Sequence, residues 1–508
     1  MTAPKRAVGP ALISGPLLAR NTVWNLLGQL LPAVAGFVVL PPLIRGLGVA
    51  RFGVLSLAWI VIGYFSLLDL GIGRGLTALV ADRLGAREDH TIPPLAWTAL
   101  SLMLGLGLLG GLATWAGAPW LVQRALKIPD ALQYETLEGF YLLAVSIPVV
   151  TVTSGLRGIL EAQQQFRALN LIRIPMGIFS FVGPLAVLAF SHSLWPIIGI
   201  LLAGRLIGGL AHLVVCLRVM PALRQGFAVS GSLVAPLLTI GGWMTVSNVV
   251  SPLMVYLDRF LIGALLSVSA VSYYAAPFDI VTRLMVISVA IAGVLFPAFA
   301  FSLAHDAARA GLLLARGVKY VFLALFPIVA IITTLAPEGL RSWLGVTFAE
   351  NSTLILRWLA AGVLVNGLAQ VPFSLIQSAG RSDLTAKLHL VELPFYLAVL
   401  VLLLRGCGIT GAAIAWTLRV VVDAGALFVL ARHVLPLRPA VLRRLGATVA
   451  LALAALFLTT LIETVVLKLV CLALGLLVFG IVSWFRVLAG DERAFLRRIV
   501  TRRRRDLI

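Results

Sequence analysis

Long apolar runs recur along the chain, separated by short charged or Pro/Gly-rich breaks. A membrane-spanning helix needs roughly 20 apolar residues. Fourteen runs qualify, at about 22–43, 53–79, 95–118, 137–156, 174–190, 195–217, 233–256, 270–298, 317–336, 354–377, 385–404, 409–431, 446–465 and 467–486. The pattern predicts an all-α integral membrane protein with about 14 transmembrane helices. The second and eighth runs are long enough to tilt or bend. The last two meet at Glu463–Lys468, where a single re-entrant segment is the alternative reading.

Composition sharpens this picture. Of 508 residues, 60% are hydrophobic and 12% charged, against about 45–50% apolar and 25% charged in soluble domains. Mean hydropathy is +1.05. A soluble enzyme, a disordered tail and a secreted disulfide scaffold are excluded. The three cysteines, Cys216, Cys407 and Cys471, lie far apart in apolar runs, with no CxxC motif. The N-terminal stretch has few charges and no convincing cleavage site before the first run, which reads as a retained helix rather than a signal peptide.

The formal charge is +20. In so apolar a chain, the basic excess reports cytoplasmic loops rather than nucleic-acid binding. With the N-terminus inside, the cytoplasmic segments hold 27 Lys and Arg and the opposite segments nine, leaving Arg74, Arg205, Arg283 and Arg419 inside spans. The asymmetry predicts two cytoplasmic termini and an even number of spans. The terminal Arg502-Arg503-Arg504-Arg505 predicts contact with anionic lipids of the inner leaflet.

An internal repeat appears at an offset of 214 residues. Arg45 maps to Arg259, Lys127 to Arg341, Arg167 to Arg381, Arg173 to Lys387, Arg205 to Arg419, Arg218 to Arg432 and Arg224 to Arg438. Seven of the thirteen basic residues between 45 and 224 thus find a basic partner. The offset covers six spans, so both halves share one orientation. That predicts two pseudo-symmetric six-helix lobes around a central cavity, a plan used by transporters. The expected division is 1–224 and 225–440 for the lobes, with 441–508 forming two additional helices and a basic tail.

Candidate chemistry lies within the spans. The sequence contains no Walker A, HExxH or GxSxG pattern, and the six histidines lack metal-ligand spacing. No cofactor or metal is expected. Gly71-Ile72-Gly73-Arg74-Gly75 superficially resembles a phosphate loop, but it follows a membrane run, not a strand. Polar stripes occupy helix faces: Asn21, Asn25 and Gln29; Ser247 and Ser251 beside Asn248; and Asn366, Gln370, Ser374 and Gln377. They read either as hydrogen-bonding glue between helices or as the wall of a wet cavity. Intramembrane charges are sharper, because an ionised side chain at mid-bilayer costs at least ~2.5 kcal/mol. Asp279 with Arg283, and Arg419 with Asp423, are spaced to neutralise each other along one helix face. Asp69 and Arg74 diverge, and Glu392 and Arg205 lack a local partner. The functional reading is a cationic cavity for an anionic head group, with carboxylates coupling to H⁺ or Na⁺.

The stretch NTVWNLLGQLLPAVAGFVVLPPLIRGLGVARFGVLSLAWIVIGYFSLLDLGIGRGL resembles the start of bacterial polysaccharide flippases of the multidrug/oligosaccharidyl-lipid/polysaccharide (MOP) superfamily. YLDRFLIGALLSVSAVSYYAAPFDIVTRL, QSAGRSDLTAKLHLVELPFYL and GITGAAIAWTLR resemble the family's later helices in the right order. The resemblance implies two six-helix lobes plus two C-terminal helices. It implies movement of an undecaprenyl-diphosphate-linked oligosaccharide across a bacterial inner membrane by alternating access, without covalent chemistry. It also implies polysaccharide polymerase machinery as a partner, and no nucleic acid. The family's cationic cavities make Arg74, Arg283 and Arg419 the expected substrate-binding cations, beside the amides Asn25, Gln29, Asn248 and Gln370. Asp69, Asp279, Glu392 and Asp423 are the ion-coupling candidates.

The alternatives are a relative with another cargo, such as a lipid II flippase or drug/cation antiporter, a membrane-embedded polyprenyl-dependent glycosyltransferase or ligase, and a scaffold subunit. The enzyme reading calls for a substantial outer loop. The longest expected ones, near 119–136 and 337–353, are too short for a domain.

Overall fold

The computed structural model describes residues 15–65, 71–224, 226–239, 242–435, 439–490 and 492–494. Among these residues the regular structure is helical, with no strand. The helices are α1 (Gly15–Leu47), α2 (Val49–Phe65), α3 (Ile72–Ala86), α4 (Ile92–Trp120), α5 (Asp130–Ala162) and α6 (Phe166–Val187). They continue with α7 (Leu194–Val219), α8 (Val234–Thr239), α9 (Gly242–Leu265), α10 (Val268–Thr282), α11 (Met285–His305) and α12 (Ala307–Thr334). The series ends with α13 (Ala336–Leu344), α14 (Val346–Ser378), α15 (Ser382–Val434), α16 (Pro439–Thr460) and α17 (Val465–Val482).

Among the described residues, ten helical stretches are long and apolar enough to cross a membrane, accompanied by the shorter apolar helices Val49–Tyr64 and Ala450–Thr460. The protein is a multi-pass membrane protein. Leu108, Leu109 and Leu112 of α4 are all more than half exposed. Lipid, unlike water, tolerates apolar side chains all round a helix.

Two expected runs merge in α15, a 53-residue element kinked at Gly408. Its φ of 60° lies where a β-carbon is disfavoured, so glycine suits the bend. The last two runs form separate helices, α16 and α17, with the break falling between Thr460 and Val465.

The chain divides into two compact units, Met1–Arg283 with Gly380–Arg419, and Leu284–Ala379 with Val420–Ile508. The first unit is built around α4, α5 and α7. Small residues allow α4 to lie against α5: a Cβ at Gly107 would meet the Pro148 Cα at 2.6 Å, and one at Gly111 the Ala144 carbonyl at 2.7 Å. Leu76, Leu95, Ala99, Met103, Leu160 and Cys216 are fully buried beside this contact. A polar staple holds three helix starts together. Glu135 accepts from Arg51 Nε at 2.7 Å through one carboxylate oxygen, and from Ser193 Oγ and the Leu194 amide through the other.

In the second unit, α14 packs on α11, α12 and α13. Ser374 of the predicted polar stripe donates to the Ala292 carbonyl at 3.2 Å. For that residue the glue reading holds. Lys468, which is buried, donates to Glu338 at 2.7 Å. Beyond α17, Glu492 accepts from Lys319 at 2.7 Å and from the Tyr320 hydroxyl.

Candidate functional site: two adjoining cationic pockets

In the first unit α5, α6 and α7 enclose a cavity of about 250 Å³. Each helix contributes one arginine: Arg157, Arg173 and Arg205. Glu161, Asn170 and His212 add to its charged and hydrogen-bonding lining, with Thr153, Ser154 and Ser180. On α7, Arg205, Gly208, Gly209 and His212 recur at helical spacing and so share one face. His212 Nδ1 lies 2.7 Å from the Gly208 carbonyl, which assigns the proton to that nitrogen. Its Nε2 is left as an acceptor with no hydrogen-bond partner among the described residues.

The electrostatics favour an anion. Arg157 lies within repulsive reach of Arg173 and Arg205. Among the described residues Glu161 is the one carboxylate lining the cavity. Grouping like charges on membrane helices is costly. A ligand carrying several negative charges relieves that cost, and a guanidinium engages phosphate oxygens bidentately.

A second pocket of about 380 Å³ adjoins the first. Ser180 and Arg205 line both. Its walls carry Trp59, Phe181 and Tyr256 together with Arg259, Asp279 and Arg283. The Trp59 and Phe181 rings lie 5.3 Å apart, and the Arg283 guanidinium sits 5.8 Å from the Phe181 centroid. Aromatic faces beside charged hydrogen-bonding groups suit a hydrophilic ligand that also presents C–H surfaces.

One wall is anchored by a buried polar network. Arg259, 2% exposed, donates from Nη2 to Asp279 Oδ1 at 3.0 Å and lies 4.2 Å from the Phe278 ring centroid. Tyr274 donates to the buried Asp258 at 2.5 Å. The sequence places Arg259 in a loop between apolar runs. The structure corrects this: α9 continues to Leu265 and carries Arg259 into the protein interior.

The candidates read from the sequence are distributed unevenly. Arg283 and Asp279 share the second pocket, but Asp279 pairs with Arg259 on another helix rather than staying with Arg283. Glu392 is not without a local partner, because Arg419 approaches it at 3.9 Å from beyond the Gly408 kink. Arg419 also lies 5.7 Å from the Tyr396 ring centroid. Arg74 is exposed on α3, Gln29 is exposed on α1, Gln370 is half-buried on α14 and Asp423 is buried. None of these four lines either pocket. Asp69, the side chains of Asn25 and Asn248, and the basic run 502–505 lie outside the described residues.

The apolar runs at 137–156 and 174–190 place Arg157 and Arg173 in a cytoplasmic loop. The structure places both on helices, since α5 extends to Ala162 and α6 begins at Phe166. The available signal was the i, i+4 pair Arg157 and Glu161 and the Arg205/His212 face.

The chain belongs to the polysaccharide biosynthesis protein family, whose model matches residues 18–302. A Shigella flexneri protein assigned as an O-antigen transporter is 30% identical over 413 residues, covering 80% of this chain and 96% of the relative. The lipopolysaccharide biosynthesis protein WzxC of Escherichia coli K12 is 23% identical over 412 residues, covering 78% and 77%. The fold is similar to the inward-facing structure of a multidrug resistance MATE family transporter of the MOP superfamily. That match has a TM-score of 0.68 at 16% identity, covering 80% of this chain and 94% of the other.

Proposed function

We propose that this protein is a flippase for a diphosphate-linked lipid oligosaccharide, serving cell-surface polysaccharide synthesis. The observation that carries the reading is the cavity in which Arg157, Arg173 and Arg205 converge from three membrane helices. Three arginines facing one carboxylate suit a cargo with two or more negative charges. They do not suit the cationic drugs of the antiporter reading. A diphosphate and a glycan cannot cross ~30 Å of hydrocarbon unaided. Arginine and amide groups replace their hydration, and family membership and the O-antigen transporter relative support the same cargo class.

In this reading the protein lies in a bacterial inner membrane with both termini cytoplasmic, as the excess of basic residues in the expected cytoplasmic segments supports. Two six-helix lobes, 1–224 and 225–440, alternate access, and 441–508 adds two helices and the lipid-binding tail. Arg283 contacts cargo from the second pocket, beside Asp279. Glu392, Asp423, Asp69 and Asp279 form the set from which a coupling group is drawn. Polysaccharide polymerase machinery receives the translocated product.

The test is a deletion strain probed with leaflet-specific labelling. The lipid-linked oligosaccharide is expected to accumulate in the cytoplasmic leaflet, fully assembled. Loss of a glycosidic linkage, with the precursor still translocated, would support the enzyme reading instead.

A further inference from the structure

Two helices that line the second pocket cross at one end of it. Ser56, Ile60 and Gly63 line the pocket from α2, and Ala275, Asp279 and Thr282 from α10. By helical spacing, Val49 and Gly53 share the same face of α2, and Val268 and Ser272 the same face of α10, one to two turns nearer each helix start. There the helices touch. Ser272 Oγ donates to the Val49 carbonyl at 2.5 Å. A Cβ at Gly53 would fall on the Val268 carbonyl, so the approach requires glycine.

A second contact lies beside the first. Lys127, between α4 and α5, donates its amide to the Gly263 carbonyl at 2.9 Å and its ammonium to the Leu265 carbonyl at 2.6 Å. Both carbonyls belong to the last turn of α9, where they lack intrahelical donors and favour a cation. Leu126, Val271 and Leu57 all lie against Gly263, which joins the two contacts. The segments at Gly48, Lys127 and Leu266 fall on the non-cytoplasmic side in the charge-based orientation.

Stronger ties run within the groups on either side. The Glu135 staple fastens α2 to the starts of α5 and α7. Asp258 with Tyr274, and Arg259 with Asp279, fasten α9 to α10. Between the groups run hydrogen bonds to main-chain carbonyls, for which water substitutes at small net loss. Lys127 is already exposed, and the two glycines interlock no side chain. We propose that this contact is the outer gate of the second pocket. It is closed here, and it parts between α2 and the α9/α10 pair to release cargo on the periplasmic side. This rests on the flippase reading and its orientation, and goes beyond them by locating where the expected lobes separate.

The test uses the full-length protein carrying Cys216→Ser, Cys407→Ser and Cys471→Ser, in proteoliposomes with a fluorescent lipid-diphosphate oligosaccharide. Lys127→Cys/Leu265→Cys is joined by a methanethiosulfonate cross-linker and released with dithiothreitol. Flipping should be lost on cross-linking and return on reduction, with inorganic diphosphate binding retained. Each single-cysteine variant, treated identically, should keep flipping. A second measurement needs no cross-link. Ser56→Cys, buried just inside the crossing, should resist a membrane-impermeant maleimide added from the periplasmic side. It should react several-fold faster when Gly53→Ala forces the helices apart. If the cross-linked protein flips as fast as before treatment, or Gly53→Ala leaves Ser56→Cys equally protected, the contact is static packing and the proposal fails while the flippase reading stands. Loss of diphosphate binding on cross-linking would also count against a gate, since the clamp would then act through the arginine cavity. Absence of flipping by the unaltered protein would remove the flippase reading and the gate with it.

Discussion

Arg259 Nη2 lies 3.0 Å from Asp279 Oδ1, so the carboxylate that helical spacing assigns to Arg283 is engaged across α9 and α10 instead. Arg259 is buried and Asp279 is 43% exposed. The pair separates two roles that sequence spacing merges. Asp279 satisfies a buried cation, while Arg283 stands over Phe181 at the pocket wall.

From this follows a split between stability and transport. Asp279→Asn removes the carboxylate paired with the buried Arg259, leaving Asp258 as its neighbouring counter-charge, and should destabilise the protein by about 2 kcal/mol, a partly screened version of breaking a buried pair. Arg283→Ala should leave thermal unfolding nearly unchanged yet lower transport at equal protein levels. Melting curves in detergent beside a transport assay read both effects. Equal loss of stability in the two variants would refute the division of roles.

The arginine cavity makes a second demand. Removing one charge-assisted hydrogen bond to phosphate costs about 1.5–3 kcal/mol. Arg157→Gln and Arg205→Gln should therefore each weaken inorganic diphosphate binding roughly tenfold to hundredfold. Arg74→Gln, on an exposed position outside both pockets, should have little effect. Isothermal titration on the purified protein checks this, and an Arg74 effect as large as that of Arg205 would move the site elsewhere.

The Glu135 staple carries a purely structural prediction. One carboxylate accepts from Arg51, Ser193 and the Leu194 amide. Glu135→Ala leaves the buried Leu194 amide and the Arg51 guanidinium without it, and should cost about 2 kcal/mol. Thermal unfolding should show the loss, with diphosphate affinity unchanged in the surviving folded protein.

Beyond α17, Glu492 predicts a pH-sensitive attachment. Burial opposes its ionisation, but hydrogen bonds from Lys319 and Tyr320 outweigh burial and hold its pKa down at about 2. A carboxyl held below its unfolded value contributes stability that is complete above the unfolded pKa. That stability is lost as pH falls through the folded pKa. The attachment should therefore be intact at neutral pH and weaken progressively between the ordinary glutamate range and about 2. Hydrogen exchange around Ala489, whose amide also donates to Glu492, should rise over that window and become insensitive to it in Glu492→Gln.

The helical character of the chain was legible because bilayer thickness imposes a length on every apolar run, and α4, α7 and α12 fall where the runs lie. Boundaries were less legible. Apolar counting bounds a helix at its charges, which places Arg157, Arg173 and Arg259 in loops although α5 and α9 continue past Arg157 and Arg259 and α6 begins before Arg173. The backbone pays no attention to hydropathy once its hydrogen bonds are satisfied, and a charged turn can extend a helix into a cavity. Pairing was the least legible. Spacing along one helix finds i, i+4 neighbours, whereas Arg259 with Asp279 and Arg419 with Glu392 meet only through tertiary packing and the Gly408 bend. Arg205 was visible as an intramembrane cation, but its companions on α5 and α6 were not.

The most direct measurement of the central claim is transport by the purified protein. Proteoliposomes are loaded with a fluorescent lipid-diphosphate oligosaccharide, and a membrane-impermeant quencher is added outside. Vesicles with wild-type protein should expose nearly all the fluorophore over time. Empty vesicles and vesicles with Arg157→Gln/Arg205→Gln should protect the inner-leaflet half. Protection by wild-type protein as complete as in empty vesicles, in protein that binds diphosphate, would contradict the flippase account.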